Sequence, residues 1–273
     1  MSSKTRLEPA DIPVVILAGG MGTRLREETE RVPKPLVQIG EKPIVWHIMK
    51  LYGHYGFRRF ILCLGYKGWL IKEFFLRYRE QTSDFTVGLN GDRAPAFHNG
   101  GESENWEVTL AETGLLTATG ARLWRVRDYI DTDTFMFTYG DGLAGVDLKA
   151  ELDFHFGHDR IGTVTGVRPT SRYGEMRVSG DAVVDFNEKP LSDGFVSGGF
   201  FAFQREFFDY LNDDPGLFFE HAPLQTLAKD SQLGVFPFDG YWMGMDTFRD
   251  FTELNELWAS GDAPWKVWSD EAR

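Results

Sequence analysis

One cysteine, Cys63, stands among 273 residues. That excludes an internal disulfide and any cluster of cysteine metal ligands, and it suits a reducing compartment. No uninterrupted apolar run approaches the roughly 18 to 20 residues of a membrane span, so no membrane partner is expected. The opening residues, Met1 to Asp11, mix acids and bases without the basic-then-apolar order of a signal peptide, and a cytoplasmic protein is expected. Basic charge is also short: 29 Lys+Arg face 41 Asp+Glu, a net charge of −12, which argues against a nucleic-acid partner. The chain lacks internal repeats, low-complexity tracts and Pro/Ser-rich linkers, so residues 13–273 read as one domain behind a leader at 1–12. Its histidines form neither H-E-x-x-H nor a zinc spacing, and His155 and His158 read as neighbours on one helix face.

Apolar and aromatic residues are abundant. With 42% hydrophobic residues and 23 Phe, the chain can bury a large core. Residues 13–18 form a short apolar run closed by glycine, the pattern of a strand buried on both faces. Residues 44–52 carry helical apolar spacing behind Pro43, residues 60–64 read as a second buried strand, and residues 69–78 as a second helix. Strand, helix, strand, helix predicts an α/β fold on a mostly parallel sheet with right-handed crossovers. Further strands are expected at 135–139, 161–167 and 196–203, and helices at 148–158 and 247–260. Residues 175–178 and 183–186 flank Gly180-Asp181 as an inserted β-hairpin. Between Gln81 and Trp106 no regular period survives, which predicts an irregular hairpin or loop. The tryptophans, among them Trp242, Trp265 and Trp268, read as core and subunit packing.

The chemistry begins directly after the first strand, at Gly19-Gly20-Met21-Gly22-Thr23-Arg24. Three glycines in four positions let backbone N–H groups surround phosphate oxygens, with the Thr23 hydroxyl and the planar Arg24 fork close by. The loop ends neither in GK[ST] nor in the G-x-G-x-x-G spacing, and on its glycines alone a tight structural turn fits equally well. Pro33-Lys34-Pro35 follows, a stiff segment able to aim an ammonium back at the strand end. Asp141 lies between glycines after the strand 135–139, where α/β sheets place their ligands. Asp246 taken alone reads as an N-cap for the helix from Thr247, and Asp147, Asp185 and Asp239 as caps and turns.

Leu17-Ala18-Gly19-Gly20-Met21-Gly22-Thr23-Arg24-Leu25 followed by Pro33-Lys34-Pro35-Leu36 resembles the signature of the sugar-phosphate nucleotidylyltransferases. Within them the chain looks most like the glucose-1-phosphate cytidylyltransferase family. That likeness runs through Trp46-His47-Ile48-Met49-Lys50, Gly65-Tyr66-Lys67-Gly68, Thr113-Gly114, Phe137-Thr138-Tyr139-Gly140-Asp141-Gly142, Asn187-Glu188-Lys189-Pro190 and Met245-Asp246-Thr247. The resemblance implies a Rossmann-like nucleotidyltransferase fold and transfer of a cytidylyl group from CTP to glucose 1-phosphate. Uridylyl or thymidylyl transfer and a non-catalytic binding relative are the alternatives. A metal-dependent glycosyltransferase fits less well, because Asp141 is followed by Gly142-Leu143 rather than completing a D-x-D motif.

The resemblance also distributes roles. Residues Leu17 to Arg24 with Lys34, Thr117, Arg122, Gly140 and Asp141 are implied at the nucleotide, Lys34, Arg24 and Asp141 in catalysis, Gly174, Glu188 and Lys189 at the sugar phosphate, and Asp141 with Asp246 at Mg²⁺. A homo-oligomer and a product used in deoxysugar or surface-polysaccharide synthesis are implied as well.

Overall fold

Two faces of one sheet account for most of the core. The computed structural model describes residues 7–91, 93–98, 104–169, 174–188 and 194–269, with the side chains of 26 and 27 left aside. Strand Pro13–Ala18 lies between Arg59–Leu64 and Thr134–Tyr139, parallel to both, with Leu17 opposite Tyr139. Side chains alternate across it: Val14, Ile16 and Ala18 enter one apolar cluster and Val15 the other. Burial on both faces is what the uninterrupted apolar run requires.

Seven strands follow in the order Leu233–Phe238, Gly162–Val167, Val196–Gln204, Thr134–Tyr139, Pro13–Ala18, Arg59–Leu64, Glu107–Glu112. The sheet is mostly parallel, as expected. Val196–Gln204 runs against both of its neighbours and makes it a mixed sheet. One face is covered by helix Ile44–His54 and by Leu148, Leu152, Leu254 and Trp265; the other by Leu123, Phe207, Phe219 and Leu227. Trp265 and Trp268 are core residues, and Trp242 sends its Nε1–H to the Gly198 carbonyl at 2.6 Å.

Several elements differ from the sequence reading. The helix expected at 69–78 breaks at Arg77 into Gly68–Leu76 and Tyr78–Thr82. Within the irregular stretch, Asp84–Thr86 pairs with Ala96–His98 as a small exposed hairpin. The edge strands Glu107–Glu112 and Leu233–Phe238 lack a clear signal, the first because acids stand at both ends, the second because Pro237 interrupts it. Proline is tolerated there because one side of an edge strand has no ladder partner. The hairpin about Gly180 is present as Glu175–Ser179 and Ala182–Asn187, with Gly180 at φ +64°. Among the described residues, no helix is long and apolar enough to cross a membrane.

Candidate active site

The carboxyl ends of strands Pro13–Ala18 and Thr134–Tyr139 lie side by side, so the glycine loop and Gly140-Asp141 emerge together. Gly140 passes so close to the first strand that a Cβ there would collide with the Leu17 carbonyl oxygen. Gly22 takes φ +61°, and a Cβ would meet Thr29, whose hydroxyl donates to the Gly22 and Leu25 carbonyls at 3.0 and 2.7 Å. Gly20 is different: it is exposed, and a Cβ would meet nothing within 4 Å. The fold places no steric demand for glycine there. Ala18 is buried in one cluster, and Leu17, only partly buried, packs against the other.

Lys34 opens a 3-10 turn, Lys34–Leu36, with Pro33 extended before it. Its ammonium donates to Asp141 Oδ2 at 2.6 Å and to Asp246 Oδ1 at 2.9 Å. Burial disfavours charge on Lys34, but the Asp141 and Asp246 carboxylates outweigh it and raise the ammonium's pKa above the usual lysine value. Arg24 reaches the same Asp246 Oδ1 at 3.0 Å while remaining largely exposed, at 73% of its side chain. Two cations and two carboxylates therefore meet at the strand ends.

Asp246 is brought there by a short ribbon. Gly142–Ala144 pairs antiparallel with Trp242–Gly244, and the Met245 N–H donates to the Asp141 carbonyl at 2.9 Å. The N-cap role belongs to Thr247, not Asp246: Thr247 and Asp250 form a capping box for helix Phe248–Ser260. The Asp250 carboxylate accepts the N–H groups of Asp246 and Thr247, which holds the Asp246 backbone while its side chain turns to Lys34. The sequence reading missed Asp250; the Thr-x-x-Asp spacing at 247–250 is the signal that points to it. Asp147 caps helix Leu148–Phe156 as expected, whereas Asp185 lies within a hairpin strand.

The donor set suits Mg²⁺. Two carboxylates that touch one nitrogen, with phosphate oxygens and water as remaining ligands, meet its requirements. Among the described residues no group of three or more His, Cys, Asp or Glu is placed to hold a metal ion by itself.

Arg122 turns inward. Its guanidinium donates to the Leu64, Gly19 and Leu115 carbonyls at 2.9, 3.2 and 3.3 Å and to Thr113 Oγ1 at 2.7 Å. Burial lowers its pKa from the usual arginine value. A Cβ on Gly19 would run into that guanidinium, so the first glycine of the loop is needed for Arg122. Thr117 accepts from Arg125 at 2.9 Å, one step further from the loop. Lys67, in the left-handed region at φ 50°, donates to the Thr29 and Glu30 carbonyls and ties down the loop's far end.

Gly174 and Glu188 face each other at the base of the hairpin, where a Cβ on Gly174 would lie 2.9 Å from Glu188 Oε2. Lys189 lies outside the described residues. One polar set beside the site has no strong sequence signal: Tyr139 donates to Glu220 Oε1 at 2.8 Å, and Thr119 to Oε2 at 2.5 Å. Burial, then the Glu220 charge, pushes the Tyr139 phenol far above its usual pKa. The helix expected at 148–158 ends at Phe156, so His158 lies beyond it and does not share a helix face with His155, although both rings contact Thr163 Oγ1.

The profile of the Nucleotidyl transferase family matches residues 13–261. This chain belongs to that family. It is 46% identical over 256 residues to a glucose-1-phosphate cytidylyltransferase of Salmonella typhi, covering 93% of this chain and 98% of that one. It is 28% identical over 253 residues to a mannose-1-phosphate guanyltransferase of Gibberella zeae, covering 90% and 64%. In fold it is similar to the inositol-1-phosphate CTP transferase of T. maritima, at a TM-score of 0.64, 15% identity, and 97% and 100% coverage.

Proposed function

We propose that this nucleotidyltransferase, a single domain over 13–273, transfers the cytidylyl group of CTP to glucose 1-phosphate with Mg²⁺, releasing pyrophosphate and forming CDP-glucose. The observation that carries the reaction class is the meeting of Lys34 with Asp141 and Asp246 beside an open glycine loop. Identity of 46% across nearly the whole length of a cytidylyltransferase supports the substrate pair. A cytoplasmic homo-oligomer that serves deoxysugar or surface-polysaccharide synthesis agrees with this reading.

In the reaction an oxygen of the sugar phosphate attacks the α-phosphorus of the triphosphate. A new P–O bond forms as the bond to the departing pyrophosphate breaks, with the two oxygens in line. The exposed backbone at Gly20 accepts a polyphosphate without steric conflict, and Thr23 and Arg24 add a hydroxyl and a fork. Lys34 balances charge that develops on the α-phosphate or leaving group, a task for a fixed cation in a partly dry site. Arg122 holds the Gly19 carbonyl at the start of the loop. Gly174, Glu188 and Lys189 receive the sugar phosphate. Asp141 and Asp246 would hold Mg²⁺, which supplies further neutralisation of the phosphates.

The test is pyrophosphate release by purified protein with Mg²⁺ and matched concentrations of CTP, UTP, dTTP, ATP and GTP, each with glucose 1-phosphate. CTP is expected to lead the series. Preference for another nucleotide would overturn the base assignment, and no release from any pair would overturn the reaction.

A further inference from the structure

Lys34 and a divalent cation would compete for the same pair of carboxylates. The ammonium stands 2.6 Å from Asp141 Oδ2 and 2.9 Å from Asp246 Oδ1. A divalent cation held by these two carboxylates would repel the ammonium's charge at close range. Arg24 already claims Asp246 Oδ1 as well. The four side chains form a charge-balanced set.

The exchange has a mechanical basis in the chain. Pro33 and Pro35 fix the backbone on both sides of Lys34, and the turn Lys34–Leu36 closes on itself through Val37 N–H to the Lys34 carbonyl at 3.1 Å. The side chain above that stiff base has four rotatable carbons and only 13% exposure. Rotation about those carbons can carry the ammonium off the carboxylates without any backbone rearrangement. Arg24, exposed on the glycine loop, can make the same change of partner.

We infer that Lys34 serves as the internal counter-cation of the Asp141–Asp246 pair and is exchanged for the divalent cation when a polyphosphate arrives to receive the ammonium. This rests on the reading of that pair as the metal site. Two consequences follow from the shared charge. The protein alone holds a divalent cation weakly, and nucleotide and cation each strengthen the binding of the other by the same factor. Lys34 thus acts twice, against premature metal loading and then on the phosphate.

Mn²⁺ alone is the probe, measured by electron paramagnetic resonance and titration calorimetry on the full chain without nucleotide. Lys34→Met is expected to bind Mn²⁺ about 10-fold more tightly than the wild type or better, the usual size of such coupling. Adding Asp141→Asn to Lys34→Met should abolish the gain. If Lys34→Met does not fold by circular dichroism, Lys34→Gln takes its place, and Mn²⁺ should raise its melting temperature more than that of the wild type. Equal affinity in wild type and Lys34→Met, with loss in Asp141→Asn, overturns the exchange and leaves the metal site standing. Binding indifferent to Asp141→Asn overturns both.

Discussion

Lys34 stands at the junction of the two acidic residues, so removing its charge acts on the chemistry more than on the fold. Lys34→Ala is expected to lower the rate of pyrophosphate release by roughly 10²-fold or more while circular dichroism stays native, and Asp141→Asn to do the same. A folded variant with the wild-type rate would remove the corresponding role. Arg122 works differently, through the Gly19, Leu64 and Leu115 carbonyls. The Gly19 and Leu64 carbonyls keep Tyr66 and Thr113 as donors, so what is lost is hydrogen bonding from a charged donor, worth about 1.5–3 kcal/mol. Arg122→Ala should therefore lose about 2 kcal/mol of stability in urea unfolding. Arg122→Lys should recover only part, since an ammonium cannot reproduce the fork. Undiminished stability in Arg122→Ala would deny it this positioning work. The Pro-Lys-Pro stiffness of residues 33–35 was visible in the sequence, whereas the inward turn of Arg122 depends on three segments that meet around it.

Helix Phe248–Ser260 shows how an element holds a functional residue. Its capping box satisfies N–H groups of the first turn, and the same Asp250 carboxylate holds the Asp246 N–H. Asp250→Ala is expected to cost about 1 kcal/mol through the lost cap. It should also raise the Mg²⁺ concentration needed for half-maximal activity, because the Asp246 backbone loses its anchor. A drop in melting temperature with no change in Mg²⁺ requirement would limit Asp250 to the helix. The strand Pro13–Ala18, the helix after Pro43 and the hairpin about Gly180 were legible because each carries its period within a few residues. The ribbon Gly142–Ala144 with Trp242–Gly244 was not, since its strands are three residues long and distant in sequence.

The molecule as a whole carries a pH dependence that has its origin outside the site. Glu151 is fully buried, its Oε1 accepts from Thr165 at 2.7 Å, and among the described residues its Oε2 has no partner. Burial pushes its pKa from 4.5 up to about 8. Below pH 4.5 the folded and unfolded chains both hold this proton and the stabilisation is fully present. Between 4.5 and about 8 only the folded chain holds it, so unfolding releases a proton and stability falls as pH rises. Glu151→Gln is expected to flatten the decline in melting temperature from pH 5 to 8 and to leave the protein more stable than wild type at pH 8. Parallel curves for the two proteins would mean that Glu151 does not set the slope.

The net charge of −12 argues against an extended polyanion as a partner, yet Lys34 and Arg24 gather positive charge beside the glycine loop. The buried strand, the glycine loop behind it and the stiff lysine segment follow from neighbouring residues, because steric freedom and apolar periodicity act within one or two turns of chain. The meeting of Lys34 with Asp141 and Asp246, separated by 107 and 212 residues, follows only from the sheet register and the ribbon. Electrostatic pairing of that kind is a property of distance in space, and distance in space is set by packing.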